Sequence, residues 1–237
     1  MTHPAVKTLV FDVFGSVVDW RGSIARDLGA WSDAQGIRAD WLALAEAWRA
    51  RYQPQMERVR SGEIGWRRLD DLHLESLRAL APAFGLDGLD EAQLLHVNRV
   101  WHRLDPWPDA VPGLKRLKAR YLIGTLSNGN VALLVNMAKR AALPWDVVVS
   151  AETFRHYKPQ REAYLGVAEL LDIAPHEVMM CAAHNADLEA ARAAGLATAF
   201  FARPHEHGPA QTTDLVPTEA WDVVARDIED LATQMGC

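Results

Sequence analysis

The stretch Val6-Lys7-Thr8-Leu9-Val10-Phe11-Asp12 decides the fold. Its apolar and β-branched residues predict a strand that is buried on both faces, and a carboxylate stands at the carboxyl end of that strand. Four further runs repeat the apolar pattern and are also followed by polar or turn-forming residues; they span residues 121–126, 146–150, 178–183 and 197–201. We therefore expect a sheet built from buried strands.

Helical patterns separate the later strands, at residues 130–142, 159–171 and 187–194. Pro159 stands in the first turn of its helix, where the missing N–H costs nothing, and Gly195 stands where helices commonly end. Strands that alternate with helices predict an α/β fold with a Rossmann-like parallel sheet covered on both faces. In such sheets ligands bind beyond the carboxyl ends of the strands, so we expect the site there.

Residues 20–104 have a different pattern, because no strand-like run interrupts them. A bend at Pro54 is predicted in the first of three helices, which span residues 43–59, 66–79 and 90–104. The pattern predicts an all-helical insert between the first and second strands. We expect a core domain made of residues 1–18 and 105–237, and a helical cap subdomain made of residues 19–104.

Size and charge limit the class of function. The chain has 237 residues, is 49% hydrophobic and has a formal net charge of −6. This mild acidity argues against nucleic acid or an anionic membrane surface as the main partner, but not against a small anionic substrate. No run of ~18 apolar residues is present to span a membrane, and no signal peptide is recognisable. Because Cys181 and Cys237 make no disulfide framework, a cytoplasmic location is expected.

Asp12 is the first candidate for chemistry. A carboxylate at the end of a buried strand loses its hydration, and it stays charged only where amides or cations hold it. Gly15 lies in the turn that follows, whose amides can face an anion. Taken alone, the same carboxylate is equally typical of a simple cap on that turn.

Two further candidates follow later strands. Ser127 and Asn128 stand at a strand end before a helix, which is typical of a carboxylate or phosphate site and also of an ordinary helix cap. Lys158 stands on a loop at the same edge, where an ammonium group would keep Asp12 ionised and attract an anion. A lysine exposed to solvent is the ordinary alternative.

His184 and Asp187 follow the fourth strand. Asp187 is either the N-cap of its helix or the partner of Lys158 and of a water molecule. His184 is either a ligand contact or a polar residue with internal partners, and whether His184 or Asn185 would position water stays open. Each signal is weak alone, but their order on successive strand ends of one sheet is much more specific.

The order of Asp12, Ser127-Asn128, Lys158-Pro159 and Asp187 resembles the four motifs of the haloacid dehalogenase superfamily. The helical segment after the first motif is similar to that superfamily's cap, and the resemblance covers nearly the whole chain. It implies a haloacid dehalogenase-like core in which the carboxylate of Asp12 is the nucleophile.

Phe14 indicates which reaction the resemblance implies. Phosphatases of the superfamily usually carry an aspartate two residues after the nucleophile, as the acid that protonates a leaving alcohol. A halide leaves as a stable anion and needs no proton. Phe14 therefore favours cleavage of a carbon–halogen bond over hydrolysis of a phosphate ester.

The type II 2-haloacid dehalogenase branch is the closer resemblance. Its first motif is similar to residues 11–16, with Ser16 where threonine is more usual, and its Trp-Arg pair is similar to Trp48-Arg49. Ser127-Asn128-Gly129 is similar to its second motif. Tyr164, six residues after the motif lysine, fits its third.

The fourth motif departs from that branch. Residues 182–187 contain His184 where asparagine is frequent and Ala186 where tryptophan is often found, whereas Asp187 matches the acid of the motif. These changes alter the expected shape of the pocket and the hydrogen bonds of the hydrolytic water. The pattern does not fix which side chains of the helical segment face the pocket, among them Tyr52, Ile64 and Trp66.

The resemblance implies a two-step reaction. Asp12 attacks the α-carbon of a short 2-haloalkanoate and forms an ester, which water hydrolyses at the Asp12 carbonyl to give a 2-hydroxy acid. Arg49 and Asn128 stabilise the departing halide. Lys158 keeps Asp12 anionic, with support from Tyr164.

Other groups bind the substrate and the water in this scheme. Asp187, with His184, orients or activates the hydrolytic water. Ser127 and the backbone amides near Val13 and Phe14 hold the substrate carboxylate, and the first-motif turn adds one more residue to this binding set, Ser16.

The expected partners are a small haloacid and water, and the branch commonly forms homodimers. No metal or cofactor is required, because a monoanionic haloacid beside an arginine and a lysine does not need the Mg²⁺ that phosphate does. Two alternatives stay open: a Mg²⁺-dependent phosphatase acting on a small phosphomonoester, and a catalytically silent protein that binds small anions.

Overall fold

A parallel sheet of six strands forms the centre of the computed structural model, which describes residues 5–237. Its strand order is β5-β4-β1-β6-β7-β8, and each neighbouring pair is parallel. The strands are β1 (Thr8–Phe11), β2 (Val18–Asp19), β3 (Asp105–Pro106), β4 (Leu122–Ser127), β5 (Val147–Ser150), β6 (Val178–Ala182), β7 (Ala197–Phe201) and β8 (Val223–Ala225). Of these, β2 and β3 form a separate two-stranded sheet.

Helices surround the sheet and form the insert. They are α1 (Trp20–Gln35), α2 (Trp41–Ala50), α3 (Tyr52–Arg60), α4 (Leu69–Leu80), α5 (Glu91–Asn98), α6 (Ala110–Lys118), α7 (Val131–Ala141), α8 (Ala151–Phe154), α9 (Arg161–Leu170), α10 (Asn185–Ala193) and α11 (Ile228–Gln234). Leu9 and Phe11 pack into one hydrophobic core and Val10 into another, so β1 is buried on both faces. The predicted α/β class is confirmed.

The register of the sheet brings the strand ends to one edge. Phe11 pairs with Thr125 of β4 and with Cys181 of β6, and the Asp12 amide donates to Cys181 O over 3.0 Å. The loops after β1, β4 and β6 therefore meet beyond the carboxyl end of the sheet, which is where such sheets bind ligands. The Cys181 side chain is buried.

The helical insert, residues 19–104, packs around tryptophans. Trp20, Trp48 and Trp101 are almost fully buried, and the rings of Trp48 and Trp101 meet edge to face with centroids 5.6 Å apart. Antiparallel strands β2 and β3 pair where the chain leaves the core and returns to it. Described residues 20–104 contain no strand, and the domain boundaries stay a prediction.

The helix predicted over residues 43–59 is wrong as a single bent helix. The chain breaks at Arg51, between α2 and α3, rather than bending at Pro54. A continuous helix would need a bond from the Pro54 nitrogen to Ala50 O, and proline has no N–H to donate. A new helix that starts at Tyr52 instead places the proline in its first turn, where that bond is not needed.

Other predicted boundaries move by a few residues. The helix expected from residue 66 begins at Leu69, and the helix expected to reach residue 104 ends at Asn98, before the short 3-10 helix Arg99–Arg103. Helices α1, α6, α8 and α11 and strands β2, β3 and β8 were not predicted. In α1 two interior glycines hide the helical pattern, and its ends depend on caps: Asp19 accepts from the Gly22 amide, and Gly36 is left-handed. No helix among the described residues has the length and apolar character needed to cross a membrane.

Candidate active site

Asp12 lies at the edge of the sheet with three side-chain partners. Ser16 Oγ donates to Oδ2 over 2.8 Å, Lys158 Nζ donates to Oδ1 over 3.0 Å, and His184 Nδ1 lies 3.1 Å from Oδ2. Only 7% of the residue is exposed, so these donors replace the water that the carboxylate has lost. Oδ2 has two partners and Oδ1 has one, which leaves Oδ1 the freer oxygen.

The turn after β1 holds Ser16 in this position. Gly15 has a φ of 86°, in the left-handed region that favours glycine, and it lets the chain reverse directly after Asp12. The Ala183 amide donates to Ser16 Oγ over 2.9 Å, so the hydroxyl proton is left to bond Asp12. Ser16 therefore orients the Asp12 carboxylate.

Lys158 is buried and joins two carboxylates. Its ammonium group donates to Asp12 Oδ1 and, through a short bond, to Asp187 Oδ2. The Lys158 amide donates to Asn128 Oδ1 over 2.8 Å, so the second motif holds the loop of the third. The alternative of a solvent-exposed lysine is excluded, because the residue is 7% exposed.

The charges of this group follow from burial and pairing. Burial alone would raise the pKa of the Asp12 carboxyl, but Lys158 and His184 outweigh it and hold that pKa well below its usual range. Burial likewise opposes the charge on Lys158, yet its two carboxylate partners raise its pKa. Burial and the nearby charge of Asp12 raise the pKa of Asp187 in spite of Lys158. Asp12 is thus the more acidic member of the pair.

Asp187 lies in the first turn of α10 and is not its N-cap, a position that His184 occupies. Its two oxygens face different partners: Oδ2 accepts from Lys158, and Oδ1 accepts from the Tyr164 hydroxyl over 2.7 Å. The expected support of Lys158 by Tyr164 is therefore indirect, because the phenol contacts Asp187 instead.

Arg49 reaches the site from the helical insert. Its guanidinium carbon lies 4.2 Å from the ring centroid of Tyr52 and 5.5 Å from that of Trp20. Both aromatic faces attract a cation and restrict the guanidinium plane. Nη1 is buried and has no hydrogen-bond partner. A buried donor without a partner costs free energy, which an anion bound there would recover.

One cavity of about 420 Å³ brings the two parts of the molecule together. Its lining residues are Asp12, Phe14, Arg49, Tyr52, Gln53, Arg60, Asn128, Lys158, Pro159, Tyr164, His184, Ala186 and Asp187. Of the insert residues whose direction the pattern left open, Tyr52 lines the cavity, whereas Trp66 stacks on Tyr157 with centroids 4.8 Å apart. Gln53 and Arg60 were not singled out from the sequence.

Three expected substrate-binding residues do not line this cavity: Val13, Ser16 and Ser127. Ser127 Oγ accepts from the Gly129 amide over 3.1 Å and is 1% exposed, so its oxygen shapes the turn before α7. Ser16 bonds the nucleophile, as described above. For Val13 the prediction concerned the backbone amide, which stays a prediction.

Glu206 is a buried acid that the sequence analysis missed. His184 Nε2 lies 2.8 Å from its Oε2, while His184 Nδ1 faces Asp12. Carboxylates in their charged form only accept hydrogen bonds, so both ring nitrogens donate and the imidazole carries a charge. In agreement, burial opposes but Glu206 and Asp12 raise the pKa of His184 well above its ordinary value. Burial would raise the pKa of Glu206, but His184 lowers it to about 2.

His184 and Asn185 differ in their contacts. Asn185 Nδ2 donates to Asp214 Oδ1 over 2.9 Å, and Asn185 Oδ1 accepts from Trp221 Nε1 over 2.9 Å. Asn185 therefore anchors a loop, and His184 is the neighbour that contacts Asp12.

The only sequence signal for Glu206 was its place in the loop that follows β7, at the edge where sites form.

Among residues 5–237, no group of three or more His, Cys, Asp or Glu side chains is arranged to hold a metal ion. The Lys158 ammonium lies between Asp12 and Asp187 and bonds an oxygen of each. A cation shared by these two carboxylates would have to displace it. Metal independence stays a prediction that this arrangement supports.

Known proteins share both the sequence and this fold. A sequence model of the haloacid dehalogenase-like hydrolases matches residues 6–195. An (S)-2-haloacid dehalogenase of Xanthobacter autotrophicus is 30% identical over 207 residues, which are 84% of this chain and 76% of that protein.

Two solved structures are more similar. A defluorinating L-2-haloacid dehalogenase is 48% identical with a TM-score of 0.96, over 100% of this chain and 99% of the other. An L-2-haloacid dehalogenase is 50% identical with a TM-score of 0.94, over 97% of this chain and 98% of the other. The chain belongs to the haloacid dehalogenase-like hydrolases, in the branch of the 2-haloacid dehalogenases.

Proposed function

We propose that this protein is a hydrolytic dehalogenase of short 2-haloalkanoic acids: L-2-haloacids and haloacetates, fluoroacetate among them. The observation that carries the proposal is one cavity with two features. Asp12, a buried anion, lies on its core side, and Arg49, whose Nη1 has no partner, lies on its helical side. A carbon–halogen bond placed between them would have a nucleophile at one end and a halide site at the other.

In the first step Asp12 Oδ1 attacks the α-carbon from the side opposite the halogen. The carbon–oxygen bond forms as the carbon–halogen bond breaks, the electron pair leaves with the halide, and Asp12 becomes an ester. Arg49 and the amide of Asn128 stabilise the halide as its charge develops. Attack from behind inverts the α-carbon, so an L-haloacid gives a D-hydroxy acid.

In the second step water attacks the ester carbonyl of Asp12. One proton of the water passes to the departing alkoxide oxygen by way of Asp187 and the other is released to solvent, so the free 2-hydroxy acid leaves and the carboxylate is restored. Asp187 is the expected group to orient or activate this water, because it lines the cavity and lies beside Asp12 through their common partner Lys158. His184 contacts the other oxygen of Asp12, and its positive charge stabilises the negative charge that develops there when water attacks.

Phe14 supports dehalogenation over phosphate-ester hydrolysis. Its ring packs edge to face against Trp101, with centroids 5.6 Å apart, and against Tyr52 at 6.3 Å. The position two residues after the nucleophile is thus filled by a packed apolar ring that has no proton to give. A leaving alkoxide needs a proton, whereas a leaving halide does not.

The test is a halide-release screen over chloro-, bromo- and fluoroacetate and both enantiomers of 2-chloropropionate. We expect release from the haloacetates and from the L enantiomer, with full activity in excess EDTA. Asp12→Asn, which keeps the shape of the side chain, is the matched control and should release none. Hydrolysis of p-nitrophenyl phosphate that depends on Mg²⁺, without halide release, would contradict the proposal. Binding of haloacids without turnover would indicate a silent anion-binding protein.

The branch also suggests how the protein is organised. We propose that residues 19–104 act as a cap over a core domain of residues 1–18 and 105–237, and that closure of the cap excludes bulk water. We propose a cytoplasmic homodimer. Light scattering after size exclusion should give about twice the chain mass of 26.3 kDa, and a mass equal to one chain would contradict the dimer.

A further inference from the structure

Glu206 is a buried carboxylate that the two-step reaction does not use. It lies in the loop after β7, is 1% exposed and is not part of the cavity lining, so it does not touch the substrate. Trp20 Nε1 donates to its Oε1 over 3.0 Å, and His184 Nε2 lies 2.8 Å from its Oε2. One carboxylate thus connects a residue of the helical insert to a residue beside the nucleophile.

Glu206 also pairs with Arg49. Arg49 Nη2 lies 3.9 Å from Glu206 Oε1. The rings of Trp20 and Tyr52 restrict the plane of the guanidinium, but an aromatic face does not choose a direction within that plane. The carboxylate does choose one, because it attracts Nη2, while Nη1 stays buried without a hydrogen-bond partner.

The turn of the first motif is shaped around this carboxylate. A Cβ added to Gly15 would lie 2.1 Å from Glu206 Oε1, so only a residue without a side chain leaves room for the carboxylate. Glu206 is therefore packed between the nucleophile's turn and the helical insert, and its position depends on both.

We propose that Glu206 is a positioning residue that aligns the Arg49 guanidinium for the departing halide when the helical insert lies closed on the core. The inference rests on the proposed function. It assigns Glu206 to the first step, ester formation, because that is the step in which Arg49 acts. The second step begins after the halide has left.

The halogen supplies a readout that distinguishes this role from a structural one. Fluoride concentrates its charge in a smaller volume than chloride or bromide, so it depends most on an aligned donor. A misaligned Arg49 should slow fluoride release most and bromide release least. General loosening of the site would slow all three alike. A role through His184 in ester hydrolysis would also be independent of the halogen, since the ester is the same for all haloacetates.

The experiment measures the pre-steady-state burst of halide release for fluoro-, chloro- and bromoacetate. Glu206→Gln keeps the shape and an acceptor for Trp20, but removes the charge. We expect the burst with fluoroacetate to slow by about ten-fold or more, as for a misplaced charge-stabilising donor, with smaller losses for chloride and bromide. Glu206→Asp, which keeps the charge on a shorter side chain, should recover part of the rate.

Two controls accompany it. Glu46→Gln makes the same chemical change on the helix that carries Arg49, at a carboxylate that pairs with Arg21 instead, and it should leave the ratio of the three burst rates at the native value. Arg49→Lys combined with Glu206→Gln should lose less than the sum of the two single effects, because both act on one interaction. Thermal unfolding of each variant confirms that it folds, and Glu206→Asp supplies the test if Glu206→Gln does not.

Equal slowing for the three halogens, additive effects of the two substitutions, or a loss confined to ester hydrolysis would overturn the assignment. These outcomes leave the proposed function intact, because the native protein would still release halide. Failure of the native protein to release any halide would overturn the proposed function itself.

Discussion

The core side and the helical side of the cavity hold their polar groups in different ways. On the core side Asp12, Lys158 and Asp187 are linked by direct hydrogen bonds, and each follows a strand or its loop at one edge of the sheet. On the helical side Arg49 is held by aromatic faces and a carboxylate 3.9 Å away, and its Nη1 has no partner.

This difference matches what each side has to do. In the proposed reaction the core groups must keep one carboxylate anionic and dry until it attacks the substrate, which direct ion pairs achieve. The arginine must stabilise the charge of the halide, which exists only after bond cleavage has begun, so a donor without a hydrogen-bond partner is useful there. The comparison predicts that changes on the core side abolish the chemistry, whereas changes on the helical side slow its first step.

The largest effect is expected from Asp12→Asn. The amide retains the size of the side chain but is not a nucleophile, so dehalogenation should fall by roughly 10⁴-fold or more. The measurement is halide release over hours, with the unfolding temperature as a check on folding, because the substitution also removes the charge that Lys158 and His184 now share. Appreciable turnover by this variant would mean that the core side does not supply the attacking atom.

A smaller loss is expected from Arg49→Met, which keeps the length of the side chain and removes the donor. The barrier to ester formation should rise by about 3 kcal/mol, or roughly 10²-fold in the burst rate. Arg60→Met is the matched control: Arg60 lines the same cavity, but its Nη1 already donates to Lys158 O over 2.8 Å. Equal losses in the two variants would mean that an arginine whose Nη1 already has a hydrogen-bond partner matters as much as one whose Nη1 has none.

The third prediction concerns how the stability of the protein depends on pH. It involves Glu206, which contacts residues of both the core side and the helical side. The pKa of Glu206 is lowered to about 2 in the folded chain from an ordinary value of 4.5. Its stabilising contribution is therefore present above pH 4.5 and is lost as the pH falls towards 2. Over that window the contribution amounts to about 3 kcal/mol.

Urea unfolding of the native chain and of Glu206→Gln at intervals between pH 5 and pH 2.5 measures this contribution. The free energy of unfolding of the native chain should fall more steeply with acid, so the two curves should converge at low pH. Parallel curves would show that the carboxyl is not stabilised in its charged form.

The same contrast explains what could be predicted from the sequence. The apolar runs and the polar residues that follow them located Asp12, Asn128, Lys158 and Asp187. Each of these residues follows an apolar run closely in the sequence, and the carboxyl ends of parallel strands lie at one edge of the sheet. Whether Lys158 is buried could not be derived from spacing, and the resemblance to a known family was needed to connect Arg49 to this edge. Glu206 has no motif, since its partners Trp20, Arg49 and His184 come from three separate stretches of chain.

Helix boundaries in residues 20–104 were less accurate for a related reason. The break at Arg51 depends on where proline can be placed in a first turn, and α1 depends on caps at Asp19 and Gly36 rather than on its hydrophobic pattern. Ser127 illustrates a different ambiguity, and its role in substrate binding stays a prediction. A hydroxyl at a strand end matches a substrate site and a turn equally well, and here its oxygen accepts from the Gly129 amide.

Single-turnover hydrolysis of 2-chloropropionate in H₂¹⁸O, with enzyme in excess, tests the central claim most directly. If the Asp12 carboxylate displaces the halide and water then attacks the aspartyl carbonyl, mass spectrometry of the digested protein will find ¹⁸O in Asp12, and the first lactate formed will carry none. Label in that first lactate and none in Asp12 would contradict the account, because water would then have attacked the substrate carbon directly.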